Sequence, residues 1–118
     1  MDTLDRIRQQ IADHPILLYM KGSPDFPSCG FSAQAVQVLR TLGYPFESIN
    51  ILEHPDIRAR LPEFAQWPTF PQLWVGGELI GGCDIMLEMF QSHELQPLLA
   101  AASTAAASNN SCDLAQEP

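Results

Sequence analysis

Residues 16–32 read Ile16-Leu17-Leu18-Tyr19-Met20-Lys21-Gly22-Ser23-Pro24-Asp25-Phe26-Pro27-Ser28-Cys29-Gly30-Phe31-Ser32. The first five form an unbroken apolar run between Pro15 and Gly22, too short for a helix. Such a run reads as a strand buried on both faces, in the middle of an α/β sheet. Gly22 through Ser28, with two prolines and a glycine, continue no regular element. Apolar residues then return at helical spacing (Phe31, Ala35, Val38, Leu39, Leu42), and Gly43 ends that helix. Cys29 thus stands where a loop leaving a central strand enters a helix.

Working outward, Leu4, Ile7 and Ile11 predict a first helix, capped by Asp2 or Thr3 and running to about His14. Downstream, a short strand is expected over 46–51, then a third helix with Pro55 as its first residue and Pro62 as its terminator. Gln72-Leu73-Trp74-Val75 and Glu78-Leu79-Ile80-Gly81 are joined by Gly76-Gly77, a two-residue link able to supply the positive φ angles of a tight hairpin. Ile85, Met89, Phe90, Leu95, Leu98 and Leu99 predict one or two closing helices. The order α-β-α-β-α-β-β-α implies parallel, then antiparallel pairing in a four-stranded mixed sheet flanked by helices, which resembles the thioredoxin-like plan. One domain over 1–102 is expected. Residues 103–118, rich in Ala, Ser and Asn, offer almost nothing to bury and read as a disordered tail, with Cys112 an isolated thiol in it.

A formal charge of −8, from 6 basic and 14 acidic residues, argues against nucleic acid and anionic membrane as partners, since both need a basic surface. The N-terminus has no apolar stretch of signal-peptide length and no run approaches a bilayer span, so a cytoplasmic protein is expected. Three widely spaced cysteines, Cys29, Cys83 and Cys112, suit a reducing compartment better than a disulfide framework.

At a helix N-terminus the dipole and free N–H groups favour thiolate, the form of cysteine that acts as nucleophile and as iron ligand. Cys29 is therefore the candidate catalytic and metal-ligating residue. The bland alternative is an inert core cysteine. Three positions on stands Ser32, so no disulfide closes within the motif and any second thiol comes from outside. His14, His54 and His93 have no metal-ligand spacing with a cysteine and read as surface or cap residues. Trp74, Met86 and Met89 fit a core or a partner face better than a cofactor box.

Lys21-Gly22-Ser23-Pro24, Cys29-Gly30-Phe31-Ser32, Trp67-Pro68-Thr69-Phe70-Pro71-Gln72 and Gly81-Gly82-Cys83-Asp84-Ile85 occur together and in order. In this the chain resembles the monothiol (CGFS-type) glutaredoxins, in their short single-domain bacterial form, over about residues 1–100. The resemblance implies that Lys21 pairs with a carboxylate of glutathione. It gives Arg58 a second contact to the glycine-end carboxylate, although Arg60 offers the same chemistry. It implies a cis Pro71, with Phe70 contributing main chain to an extended peptide. Cys83 and Asp84 are assigned to the γ-glutamyl end, with Asp84 also meeting the α-ammonium. Asp84 as a plain helix N-cap is the structural alternative. A Cys29–Cys83 disulfide is conceivable only if the fold brings the two together.

Two functions follow from the resemblance. In the first, a homodimer shares a [2Fe–2S] cluster between two Cys29 thiolates and two glutathione thiols and passes it to iron–sulfur apo-proteins. A BolA-like protein is the implied alternative partner. One usable thiolate per chain fits this, because such a cluster needs four ligands. In the second, Cys29 is the nucleophile of a glutathione-dependent oxidoreductase that reduces protein–glutathione mixed disulfides. The long loop Gly22–Ser28 is expected to hold Lys21 farther from the cysteine and so to favour carriage.

Overall fold

Helix α1 (Thr3–Asp13) precedes the central strand β1 (Ile16–Met20), and α2 (Gly30–Leu42) carries the chain over to β2 (Glu47–Asn50) in the computed structural model, which describes residues 2–103. Helix α3 (Pro55–Ala65) leads to strands β3 (Gln72–Val75) and β4 (Glu78–Gly81). Helix α4 (Cys83–Gln91) follows, then a helical stretch over 95–103. Residue 103 is thus still helical, and the rest of the expected tail, with Cys112, lies outside the described residues.

The sheet order is β2-β1-β3-β4, with β1 parallel to β2 and antiparallel to β3, and β3 antiparallel to β4. Strand side chains alternate between faces. Ile16, Leu18 and Met20 enter one core with Ala35, Val38 and Leu39 of α2, Met86 of α4, and Leu95 and Leu99. Leu17 and Tyr19 enter the other with Ile7 and Ile11 of α1, Ile57 and Leu61 of α3, and Trp74. All five β1 residues are buried because helices cover both faces of the sheet, which is why the run is continuously apolar.

Local signals explain most element ends. Asp2 caps α1 by accepting the Asp5 N–H at 2.9 Å, and Pro55 opens α3 as expected. Gly76 and Gly77 both take positive φ, 61° and 85°, the backbone a two-residue hairpin demands. The proline at 62 does not end α3, which runs on to Ala65. Proline in a helix interior costs roughly 3 kcal/mol. Continuing the helix keeps Phe64 stacked on Trp74, 6.2 Å between ring centroids, and under the Arg8 guanidinium at 5.6 Å. The helix stops one turn later: Gln66 adopts the left-handed conformation, its N–H donates to Glu63 O, and Trp67 N–H donates to Pro62 O at 3.0 Å. Thr3 Oγ1 donates to Asp56 Oδ2 at 2.9 Å, and Arg6 pairs with the same carboxylate, fastening α1 to the start of α3.

Candidate functional site

The thiol at position 29 is the N-cap of α2 and is only partly buried. Its backbone is extended, so the chain turns into the helix at this residue and the sulfur faces the first free amides. Ser32 N–H donates to Cys29 Sγ at 3.4 Å, and Ser32 Oγ lies 3.6 Å from the same sulfur. Ser32 Oγ also accepts the Lys21 N–H at 3.1 Å, joining the end of β1 to the thiol. Partial burial works against the thiolate. The amides of Ser32 and Phe31, the Ser32 hydroxyl and the Lys21 charge outweigh it and hold the Cys29 thiol below its ordinary range.

The loop Gly22–Ser28 is folded on itself rather than extended. Ser28 N–H donates to Lys21 O at 2.9 Å, and Gly22 bridges to Pro27. Asn50 Oδ1 accepts from both Gly22 N–H (3.0 Å) and Leu52 N–H (2.9 Å), and Arg40 pairs with Asp25 at 2.8 Å. The two ends of the loop are thereby held together at the backbone. Both strands of the loop return to one place, and the Lys21 charge still acts on the sulfur.

Beside the thiol runs an open groove of about 570 Å³, lined by Lys21, Phe31, Arg58, Pro62, Trp67, Pro68, Thr69, Phe70, Pro71, Gly82, Cys83, Asp84 and Ile85. Lys21, Arg58, Phe70, Cys83 and Asp84, read from the sequence as one set, come together here from four separate segments. Arg60, which offers the same chemistry as Arg58, does not line the groove. The Phe70–Pro71 bond is cis, and the Phe70 ring packs against the core that contains Ile57 and Trp74. Gln72, buried, donates to Trp67 O (3.0 Å) and Thr69 O (3.3 Å) and accepts from Trp74 Nε1 (3.2 Å), fixing the groove's wall from behind.

The opposite end of the groove is the start of α4. Its N-cap is Gly82, which brings no capping side chain, so Asp84 is a first-turn residue and not the cap. The first amides of α4 are thereby left to other acceptors. Cys83 is 5% exposed and donates its S–H to Gln34 Oε1 at 3.2 Å. Burial, helped by the Asp84 charge, pushes this thiol up, opposite to Cys29. Both are free thiols.

Three of the six basic residues, Arg6, Arg8 and Arg40, are engaged by Asp56, Asp5 and Asp25. Lys21, Arg58 and Arg60 have no ion pair among the described residues, and the first two line the groove. In a chain of net charge −8, this concentrates uncompensated positive charge where an anion would lie. Of the histidines, His14 and His54 are cap residues, and His54 Nδ1 lies 3.5 Å from Arg6. Trp74 and Met86 are core residues. Sequence reasoning missed the work of the Ser32 hydroxyl, Gln72 and Asn50. Only polar side chains standing within or at the ends of α2, β2 and β3 could have pointed to them.

The glutaredoxin family profile matches residues 16–80 of the chain. Glutaredoxin 4 of Pasteurella multocida (strain Pm70) is 68% identical over 100 residues, covering 85% of this chain and 92% of that one. Glutaredoxin 4 of Escherichia coli (strain K12) is 65% identical over 97 residues, covering 82% and 84%. Among solved structures, reduced apo GrxS14 of poplar superposes with a TM-score of 0.71 at 50% identity, over 85% of this chain and 89% of that one.

Proposed function

The chain belongs to the glutaredoxin family, and from that premise we propose that it binds glutathione in the groove beside Cys29 and uses the pair to carry a [2Fe–2S] cluster between two copies of itself. The observation that carries this reading is the convergence of Lys21, Arg58, Phe70, Cys83 and Asp84 on one groove next to a thiol held below its ordinary range.

The groove is electrically bipolar. Lys21 and Arg58 suit the glycine-end carboxylate of the tripeptide, Arg58 in bidentate fashion. Main chain at Phe70 suits the extended backbone. The uncapped amides of α4 suit the γ-glutamyl carboxylate, and Asp84 suits its α-ammonium. Glutathione then lies with its own thiol beside Cys29.

No group of three or more His, Cys, Asp or Glu able to hold a metal occurs among the described residues. Of the two described cysteines only Cys29 stands where the thiolate is favoured, so it fits a [2Fe–2S] cluster as one ligand of four. A second protomer and two glutathione thiols complete the set, and a BolA-like protein replaces one protomer in a mixed complex. Cys29 would hold the cluster, which as cargo supplies iron and sulfide to acceptor apo-proteins. Lys21, Arg58 and Asp84 orient the glutathione that shares it.

Anaerobic reconstitution with iron, sulfide and glutathione, followed by absorption spectroscopy and sizing, tests the proposal. The expected result is a coloured dimer that is lost in Cys29→Ser and in the absence of glutathione. Colour that survives either change defeats it.

The thiolate-favouring surroundings of Cys29 also support a second reading, deglutathionylation. The Cys29 thiolate attacks the glutathione sulfur of a mixed disulfide and the protein thiolate leaves; a second glutathione thiolate then attacks the Cys29–glutathione disulfide, forming glutathione disulfide and freeing the Cys29 thiolate. A colourless monomer with brisk turnover of such a substrate would favour it over carriage.

A further inference from the structure

Trp67 Nε1 is the one buried side-chain nitrogen or oxygen among the described residues that has no hydrogen-bond partner. An indole N–H can only donate, and burying it unpaired is costly, so such an atom marks a place where an acceptor belongs. The main chain of Trp67 is held on both sides: its N–H donates to Pro62 O at 3.0 Å and its carbonyl accepts from Gln72 Nε2 at 3.0 Å. The indole is the part left to adjust, and it stands in the groove wall.

The nitrogen edge of the ring faces the start of α4. A Cβ placed on Gly82 would lie 3.4 Å from Trp67 Nε1, 3.8 Å from its Cζ2 and 3.2 Å from Pro71 O. Gly82 has an ordinary φ of −96°, so the close approach of these groups, and not the backbone, is what calls for glycine. A capping serine or aspartate would press on both the indole and the carbonyl. The helix therefore starts without a capping side chain, and Nε1 stands beside its first amides as a further donor without an acceptor.

We propose that Trp67 is a specificity-determining residue of the groove: its indole turns off Gly82 as the γ-glutamyl α-carboxylate settles on the first amides of α4, and Nε1–H donates to that carboxylate. The inference rests on the reading that glutathione occupies the groove, and it adds a direct contact that selects a ligand by its α-carboxylate.

The test is an NMR titration of the reduced, unsubstituted full chain, followed through its two indole N–H signals. Trp67 is identified by its nuclear Overhauser contact with Gly82, and Trp74, already donating to Gln72 Oε1 at 3.2 Å, is the internal control. Glutathione should move the Trp67 signal downfield and leave Trp74 in place. The peptide 4-aminobutyryl-cysteinylglycine, which is glutathione without its α-carboxylate, should bind more weakly and leave Trp67 unmoved. Trp67→Phe keeps a ring and loses the N–H. It should raise Kd for glutathione about tenfold and change Kd for the truncated peptide by less than about twofold.

A Trp67 signal that stays still while glutathione shifts the Phe70 and Asp84 amides overturns this proposal and leaves glutathione binding intact. Equal losses of affinity for the two peptides in Trp67→Phe overturn it in the same way. Glutathione that shifts none of these amides overturns the occupancy of the groove, and this inference with it.

Discussion

Cys83 donates its thiol hydrogen to Gln34 Oε1 across 3.2 Å, joining the first turn of α4 to α2. Its hydrogen is engaged and its sulfur buried, whereas the Cys29 sulfur, at the N-cap of α2, accepts the Ser32 N–H. Two cysteines near one groove are thereby driven apart in acidity, Cys29 downward and Cys83 upward.

Limiting iodoacetamide at neutral pH should therefore modify Cys29 about tenfold or more faster than Cys83. Peptide mapping over a time course gives both rates from one sample. Equal rates would show that the two environments are not the opposites described.

Glutathione affinity should fall when either groove cation is removed. Lys21→Ala and Arg58→Ala each delete a charge-assisted hydrogen bond worth about 1.5–3 kcal/mol, roughly a tenfold or greater rise in Kd. Arg60→Ala, outside the groove, should leave Kd within about twofold. Calorimetric titration of the three variants checks this, and a loss at Arg60 equal to that at Arg58 would place the ligand elsewhere.

Asp56 couples stability to pH. Its hydrogen bond from Thr3, opposed by partial desolvation and reinforced by Arg6, holds the carboxyl below the ordinary aspartate value of 3.8. A carboxyl depressed in the folded state contributes stability that is present above the unfolded value and lost as pH falls through the folded one. Asp56→Asn should therefore lower Tm at neutral pH, and the gap from the unsubstituted chain should close as pH drops below about 3.8. Melting curves across that window test it; a gap constant down to the acid limit would remove Asp56 from the α1–α3 contact.

Gly22 and Gly43 should respond differently to alanine. Both have positive φ, 92° and 82°. A Cβ at Gly43 meets open space, so the expected cost is about 1–2 kcal/mol of backbone strain. At Gly22 a Cβ would stand 2.5 Å from Phe26 O and 2.6 Å from Ser28 N, so the folded loop beside Cys29 must open as well. Urea unfolding should show the larger loss of stability for Gly22→Ala, and equal losses would mean that the loop is not closed at the Gly22–Pro27 bridge.

Much of the architecture was legible in the chain because its signals are local. A continuous apolar run between breakers marks a strand covered on both faces, Gly76-Gly77 marks a hairpin, and the thiol after a proline-rich loop marks a helix start. Pro62 was misread because proline's cost is a local quantity, whereas what offsets it, the Phe64 ring against Trp74 and Arg8, lies on other elements.

Sequence alone determined that Cys29 opens a helix after a central strand and that Ser32 denies it a partner within the motif. Residue type and spacing did not choose between Arg58, which the resemblance named, and Arg60, two positions on, because that choice depends on which side of α3 faces the groove. Nor did they give Ser32 a task. Hydrogen-bond partners are settled by distance in space, and only the packing of β1 against α2 puts the Lys21 amide and the Cys29 sulfur on one hydroxyl.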